Sequence, residues 1–175
     1  AMSDAALSMD WLKRWPGWAE RLQGWQASGP AQLNAQWQGG YRQADAPIQL
    51  NMTLPRLNMP AQGPEAWQLQ QSHIAVQGSL QALQASIDAR WLNGHQTVQF
   101  QSTATASSSA LLGSPWQGNI QSASVQVSSP ERTAPWKAQL QEAVGWQWTP
   151  SAIQDLLKWQ AGRIAVQGPS TGQAA

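Results

Sequence analysis

From residue 32 onward, apolar side chains return at every second position with Gln, Asn, Ser or Thr between them. A period of two belongs to a strand, because successive side chains turn to opposite faces; such a run is dry on one side and wet on the other. Leu33 and Trp37 begin the series, and Ile48, Leu50, Met52 and Leu54 continue it around Gln49, Asn51 and Thr53. Trp67 and Leu69, Ile74 and Val76, then Leu83, Ile87 and Trp91 follow, and Val98 and Phe100 return after Asn93-Gly94. Asn-Gly between alternating runs is a strong hairpin signal. Ile120, Val125 and Val127, Trp136 and Leu140, Trp146 and Trp148, and finally Ile164 and Val166 complete the set. The pentapeptide IAVQG stands at 74–78 and again at 164–168, and Pro and Gly fall between the runs rather than within them. That is where strands tolerate them.

About ten half-dry strands have to hide one face, as a sandwich, a closed barrel or a sheet curled on itself. The regular alternation and the 12 Trp residues favour the third: a mainly β chain whose curled, antiparallel-rich sheet forms a half-pipe trough. Trp is hard to pack without gaps. Two segments carry a helical period instead. Leu7, Trp11, Trp15, Trp18, Leu22 and Trp25 recur at threes and fours, interrupted by Pro16-Gly17, which predicts a helical segment over 1–28 capping the sheet. Pro150 opens a second, short one near 150–160 that presents Ile153, Leu156, Leu157 and Trp159. The expected organisation is this segment, a curled sheet over 29–168, and a polar tail over 169–175. The opening Ala1-Met2-Ser3-Asp4 shows no signal peptide, and the chain reads as a piece of a longer protein.

Composition narrows the chemistry. Charged residues are 11% of the chain and the net charge is +1, so the basic footprint of a nucleic-acid binder is missing. Without cysteine there is no thiolate site. His73 and His95 have no second ligand at metal spacing. No serine sits in Gly-x-Ser-x-Gly, and no phosphate-binding glycine loop occurs. The expectation is a protein that is not an enzyme and needs no cofactor.

Three stretches carry a resemblance: "IAVQGSLQALQASIDARW" (74–91), "SPWQGNIQSASVQV" (114–127) and "APWKAQLQEAVGWQWTPSAIQ" (134–154). Their order resembles the periplasmic repeat region of the TamB family, in the wider AsmA-like group of bridge-like lipid transfer proteins, over most of 20–168. The resemblance implies a half-pipe (β-taco) with an oily interior, within a periplasmic protein anchored in the inner membrane of a Gram-negative bacterium. It implies phospholipid acyl chains as cargo between inner and outer membrane, and an outer-membrane partner of the Omp85 type, TamA, reached through the parent protein. The alternating apolar residues named above would be the lining. Two other readings stand beside it: a chaperone for outer-membrane proteins that pairs strands at its sheet edges, and a carbohydrate-binding β-sandwich, which needs Trp on the wet face.

Overall fold

The computed structural model describes Asp10, Lys13 and residues 26–28, 31–39, 43–58, 67–110, 113–150 and 156–169; for Gln26–Ser28, Leu57 and Trp67 it describes the backbone alone. Eleven strands form one sheet: β1 (Gln26–Ser28), β2 (Gln32–Trp37), β3 (Ile48–Asn58), β4 (Trp67–Ser79), β5 (Ala82–Asn93), β6 (Gln96–Ser107), β7 (Trp116–Ser128), β8 (Trp136–Leu140), β9 (Val144–Thr149), β10 (Leu156–Trp159) and β11 (Ile164–Gln167). Every pairing is antiparallel.

The topology is simpler than eleven strands suggest. β1 and β2 lie end to end along β3, β8 and β9 along β7, and β10 and β11 along β9 and β8. Each couple is one long strand broken in the middle, so the sheet is an up-and-down meander with eight strand positions. The two outer positions, β1/β2 and β10/β11, do not pair with each other, and the sheet stays open. Two of its turns are two-residue turns, at 80–81 and 94–95. Asn93 pairs with Gln96, so the expected hairpin turns on Gly94-His95, one residue later than Asn-Gly spacing suggests. Gly94 takes φ 54, as the first residue of a type II′ turn requires.

Two helical expectations need correction. Leu156–Trp159 is strand β10, paired with Trp146–Thr149 of β9. A helix of about ten residues is marginal by itself, and β9 offers main-chain partners that a lone helical turn lacks. At the other end, Gln26–Ser28 is strand β1, not the end of a helix. Asp10 and Lys13 are helical; the other residues of the 1–28 segment fall within β1 or outside the described residues. Of the 169–175 tail, Pro169 alone is described.

Two interior strands carry an extra residue. Between β4 and β5 the register runs Gln70↔Arg90 and then His73↔Asp88, which leaves Gln71 and Ser72 opposite Ala89. Between β6 and β7 it runs Thr103↔Ser122 and then Ala104↔Ile120, which leaves Gln121 unpaired. The first bulge places Gln71 at φ 50, a left-handed conformation usually given to Gly in this bulge type. A non-glycine residue there costs on the order of 1 kcal/mol. Gln71→Gly is therefore expected to raise unfolding stability by about 0.5–1 kcal/mol, read from the urea midpoint at unchanged m-value.

Buried side chains fall mainly in two places, around the β4 bulge (Leu69, Ser72 and Ala89) and at the end of the sheet that holds the β4–β5 turn. Leu80, in the β4–β5 turn, is 1% exposed, and Ala46 is also buried. Main-chain bonds join this turn to its neighbours: Gln81 N–H donates to Ala44 O and Ser108 N–H to Leu80 O. The buried Ser108 hydroxyl meets the carbonyls of Ala110 and Pro115. Elsewhere the sheet is thinly covered. The chain exposes 12268 Å², against roughly 8,400 Å² for a compact monomer of its mass.

Candidate functional site

Antiparallel partners share a face of the sheet, so the register sorts the side chains. One face collects Leu33 and Trp37 of β2, Ile48, Leu50, Met52 and Leu54 of β3, and Leu69, Ile74 and Val76 of β4. It continues through Leu83, Ile87 and Trp91 of β5, Val98 and Phe100 of β6, and Ile120, Val125 and Val127 of β7. Trp136, Leu140, Trp146, Trp148, Ile164 and Val166 carry it to the far edge. The Trp67 position pairs with Asn93 of the same row; its side chain lies outside the described residues.

The bulges make this one face. Leu69 has odd numbering and Ile74 even; Ile120 is even and Val125 odd. With strict alternation each strand would present half of its apolar residues to either side. One extra residue in β4 and one in β7 restore both halves to the same side. Sequence reasoning missed Trp116, Val144, Leu157 and Trp159, which also join this face. Leu157 and Trp159 were expected on a helix. The Trp148 register partner is what reveals Trp116.

Contacts within the face are aromatic and close. The Trp91 and Phe100 rings lie 6.3 Å apart at 51°, a favourable tilted arrangement. Trp146 stands opposite Gly118, and a Cβ at Gly118 would meet both the Trp146 ring and the Thr105 carbonyl. The glycine leaves space that the ring fills. No charged side chain sits on this face among the described strand residues: Arg56, Asp88, Arg90, Lys137 and Lys158 lie on the other. The face is unevenly covered: Leu69, Leu83 and Ala89 on it are buried, while other positions stay open. Ile87, on a central strand, is 38% exposed, Trp37 at one edge 40%, and Ile164 at the other 66%.

The opposite face is a field of amides and hydroxyls. Gln36, Gln49, Gln77 and Gln84 run across four strands in one row, and Gln77 Nε2 donates to Gln84 Oε1 at 3.3 Å. Gln68 Nε2 donates to Asn58 Oδ1 at 2.7 Å, and Gln70 Nε2 to Gln68 Oε1 at 2.6 Å. His73 Nδ1 lies 3.3 Å from Thr53 Oγ1 and stands opposite Asp88, which accepts from Gln101 Nε2 at 2.8 Å. Arg90 Nε is buried without a hydrogen-bond partner. No group of three metal-ligating side chains occurs among the described residues.

Hollows lined largely by residues of this amide face cross several strands, with Leu83, Trp146 and Trp159 of the apolar face also lining one of them. One, of about 730 Å³, crosses β5, β6, β7, β9 and β10 between Gln84, Thr105, Gln117, Asn119, Gln147 and Lys158. Another, of about 460 Å³, lies between His73, Asp88, Gln101, Thr103, Ser122 and Gln139. A twisted sheet is saddle-shaped, hollow along one diagonal on either side. Comparison with protein families, curated proteins and solved structures gives no match for this chain.

Proposed function

We propose that this chain is a segment of a periplasmic lipid conduit, in which the sheet curls as a half-pipe and its apolar face borders phospholipid acyl chains moving between inner and outer membrane. The observation that carries the reading is the uncharged apolar face that crosses all eight strand positions, with Ile87 on a central strand exposed. Each methylene kept out of water is worth about 0.8 kcal/mol, so a two-chain lipid faces on the order of 20 kcal/mol in water. A face that runs from strand to strand without a charge lets the tails exchange one apolar wall for the next. Near-equivalent rows let them pass without a trap. The parent would be anchored in the inner membrane and meet TamA at the outer membrane.

A photo-crosslinking residue at position 87, in the parent protein in living cells, is expected to capture phospholipid. At position 86, one residue along on the amide face, capture is expected to fall at least about tenfold, because facing alternates along a strand. Equal labelling at both positions, or none at 87, overturns the reading.

The unpaired sheet edges support a second reading, a scaffold that receives strands of outer-membrane proteins by β-augmentation. A carbohydrate site has less support: Trp37, Trp91, Trp116, Trp136, Trp146, Trp148 and Trp159 all share the apolar face, and a sugar on the amide face would find no Trp, Tyr or Phe ring among the described residues.

A further inference from the structure

The edge strand β2 has an unusual symmetry. Gln38 N–H donates to Pro47 O across the β2–β3 ladder. Main-chain groups in an antiparallel strand point alternately to either side. Gln32, Asn34 and Gln36 therefore bond inward to Thr53, Asn51 and Gln49, their register partners. The N–H and C=O groups of Leu33, Ala35 and Trp37 point outward, where β2 has no neighbouring strand among the described residues. Edge strands are ordinarily blunted by charge, Pro or a bulge. β2, QLNAQW, has none of these over six residues.

We propose that β2 is a self-pairing edge and that its partner is a second copy of this chain, related by a two-fold axis through Ala35 normal to the sheet. That axis pairs Ala35 with Ala35 of the partner subunit and Leu33 with Trp37 of the partner subunit. Each outward donor on these three residues then meets an outward acceptor. Leu33 packs on the exposed Trp37 ring on the apolar face, and Asn34 comes opposite Gln36 on the amide face. No charge is buried. A normal two-fold keeps the apolar faces of both copies on one side, so the pair extends one oily face and closes this edge. The opposite edge fits a two-fold less well. β10 and β11 have four residues each and are separated by a break at 160–163 with Arg163 in it.

The chain has no cysteine, so single-cysteine variants of the full chain report on the interface without background. Directly opposed residues of a bonded antiparallel pair have Cα atoms about 5.5 Å apart, within disulfide range. Ala35→Cys is expected to give a disulfide-linked dimer under mild oxidation, whereas Gln36→Cys, on the other face and off the axis, and Val166→Cys, on the other edge, are not. Ala35→Pro removes an outward N–H and no intramolecular bond, and edges tolerate Pro. It is expected to leave the circular dichroism spectrum unchanged and to weaken self-association in sedimentation velocity by at least about tenfold. A parent chain that sediments as a monomer across the micromolar range overturns the proposal. So does crosslinking that is equal at 35 and 166, or self-association unaffected by Ala35→Pro.

Discussion

Deletion of Gln121 is expected to destabilise the protein by about 2–4 kcal/mol, a large share of a domain's ordinary stability. Gln121 is the extra residue of β7, and its side chain is exposed. Its side chain is therefore not the source of the effect; the count is. β7 pairs with β6 on both sides of the bulge, Thr97↔Ser128 to Thr103↔Ser122 and Ala104↔Ile120 to Ser107↔Gln117. Without Gln121 one half of β7 must turn over. Either Trp116 and Ile120 move to the amide face, or Ala123, Val125 and Val127 do. Each larger side chain loses part of the 1.5–3 kcal/mol that full burial of such a residue is worth, roughly 1–2 kcal/mol apiece. The turned half also aims Ser or Gln at the apolar face. Gln121→Ser keeps the count and is expected to change stability by less than about 0.5 kcal/mol. Urea denaturation of the two variants compares them directly; a deletion that matches the substitution would show that the bulge does not hold the face together.

Leu80→Ala is expected to cost about 2–4 kcal/mol. Leu80 is the one large side chain buried to 1% among the described residues. It sits where the β4–β5 turn bonds to the loops on either side, through Gln81 to Ala44 and through Ser108 to Leu80 itself. Truncation leaves a cavity in the most enclosed part of a thinly covered sheet, and the main-chain bonds around it restrain collapse. Ile164→Ala, at a site 66% exposed, is expected to cost less than about 0.5 kcal/mol. Thermal unfolding of the two separates a closed end from an open face; equal losses would mean that Leu80 is not a keystone of that end.

The face itself was largely readable. Runs such as Ile48 to Leu54 and Leu83 to Trp91 alternate without interruption, and alternation is a local property that any strand obeys. One tight hairpin was readable, at Asn93-Gly94; across the longer connections the order of strands came from the pairings. The segment Leu156–Trp159 was misread because Leu-Leu-Lys-Trp after a proline satisfies a helical period as well as a strand. Four residues cannot separate the two. The partner strand decided it: Trp146–Thr149 accepts β10 along its free edge.

The amino-acid order determined that strands would form here and that each would have an oily and an amide side, since both depend on neighbours within a few residues. Whether the oily sides coincide was not settled by order alone. Leu69 and Ile74, or Ile120 and Val125, disagree in parity, and nothing within one strand says where the count slips. That was decided when β4 met β5 and β7 met β6. The long pairings on either side of each bulge outweigh one unpaired residue, and only with both partners in place does the slip put every apolar run on the same face.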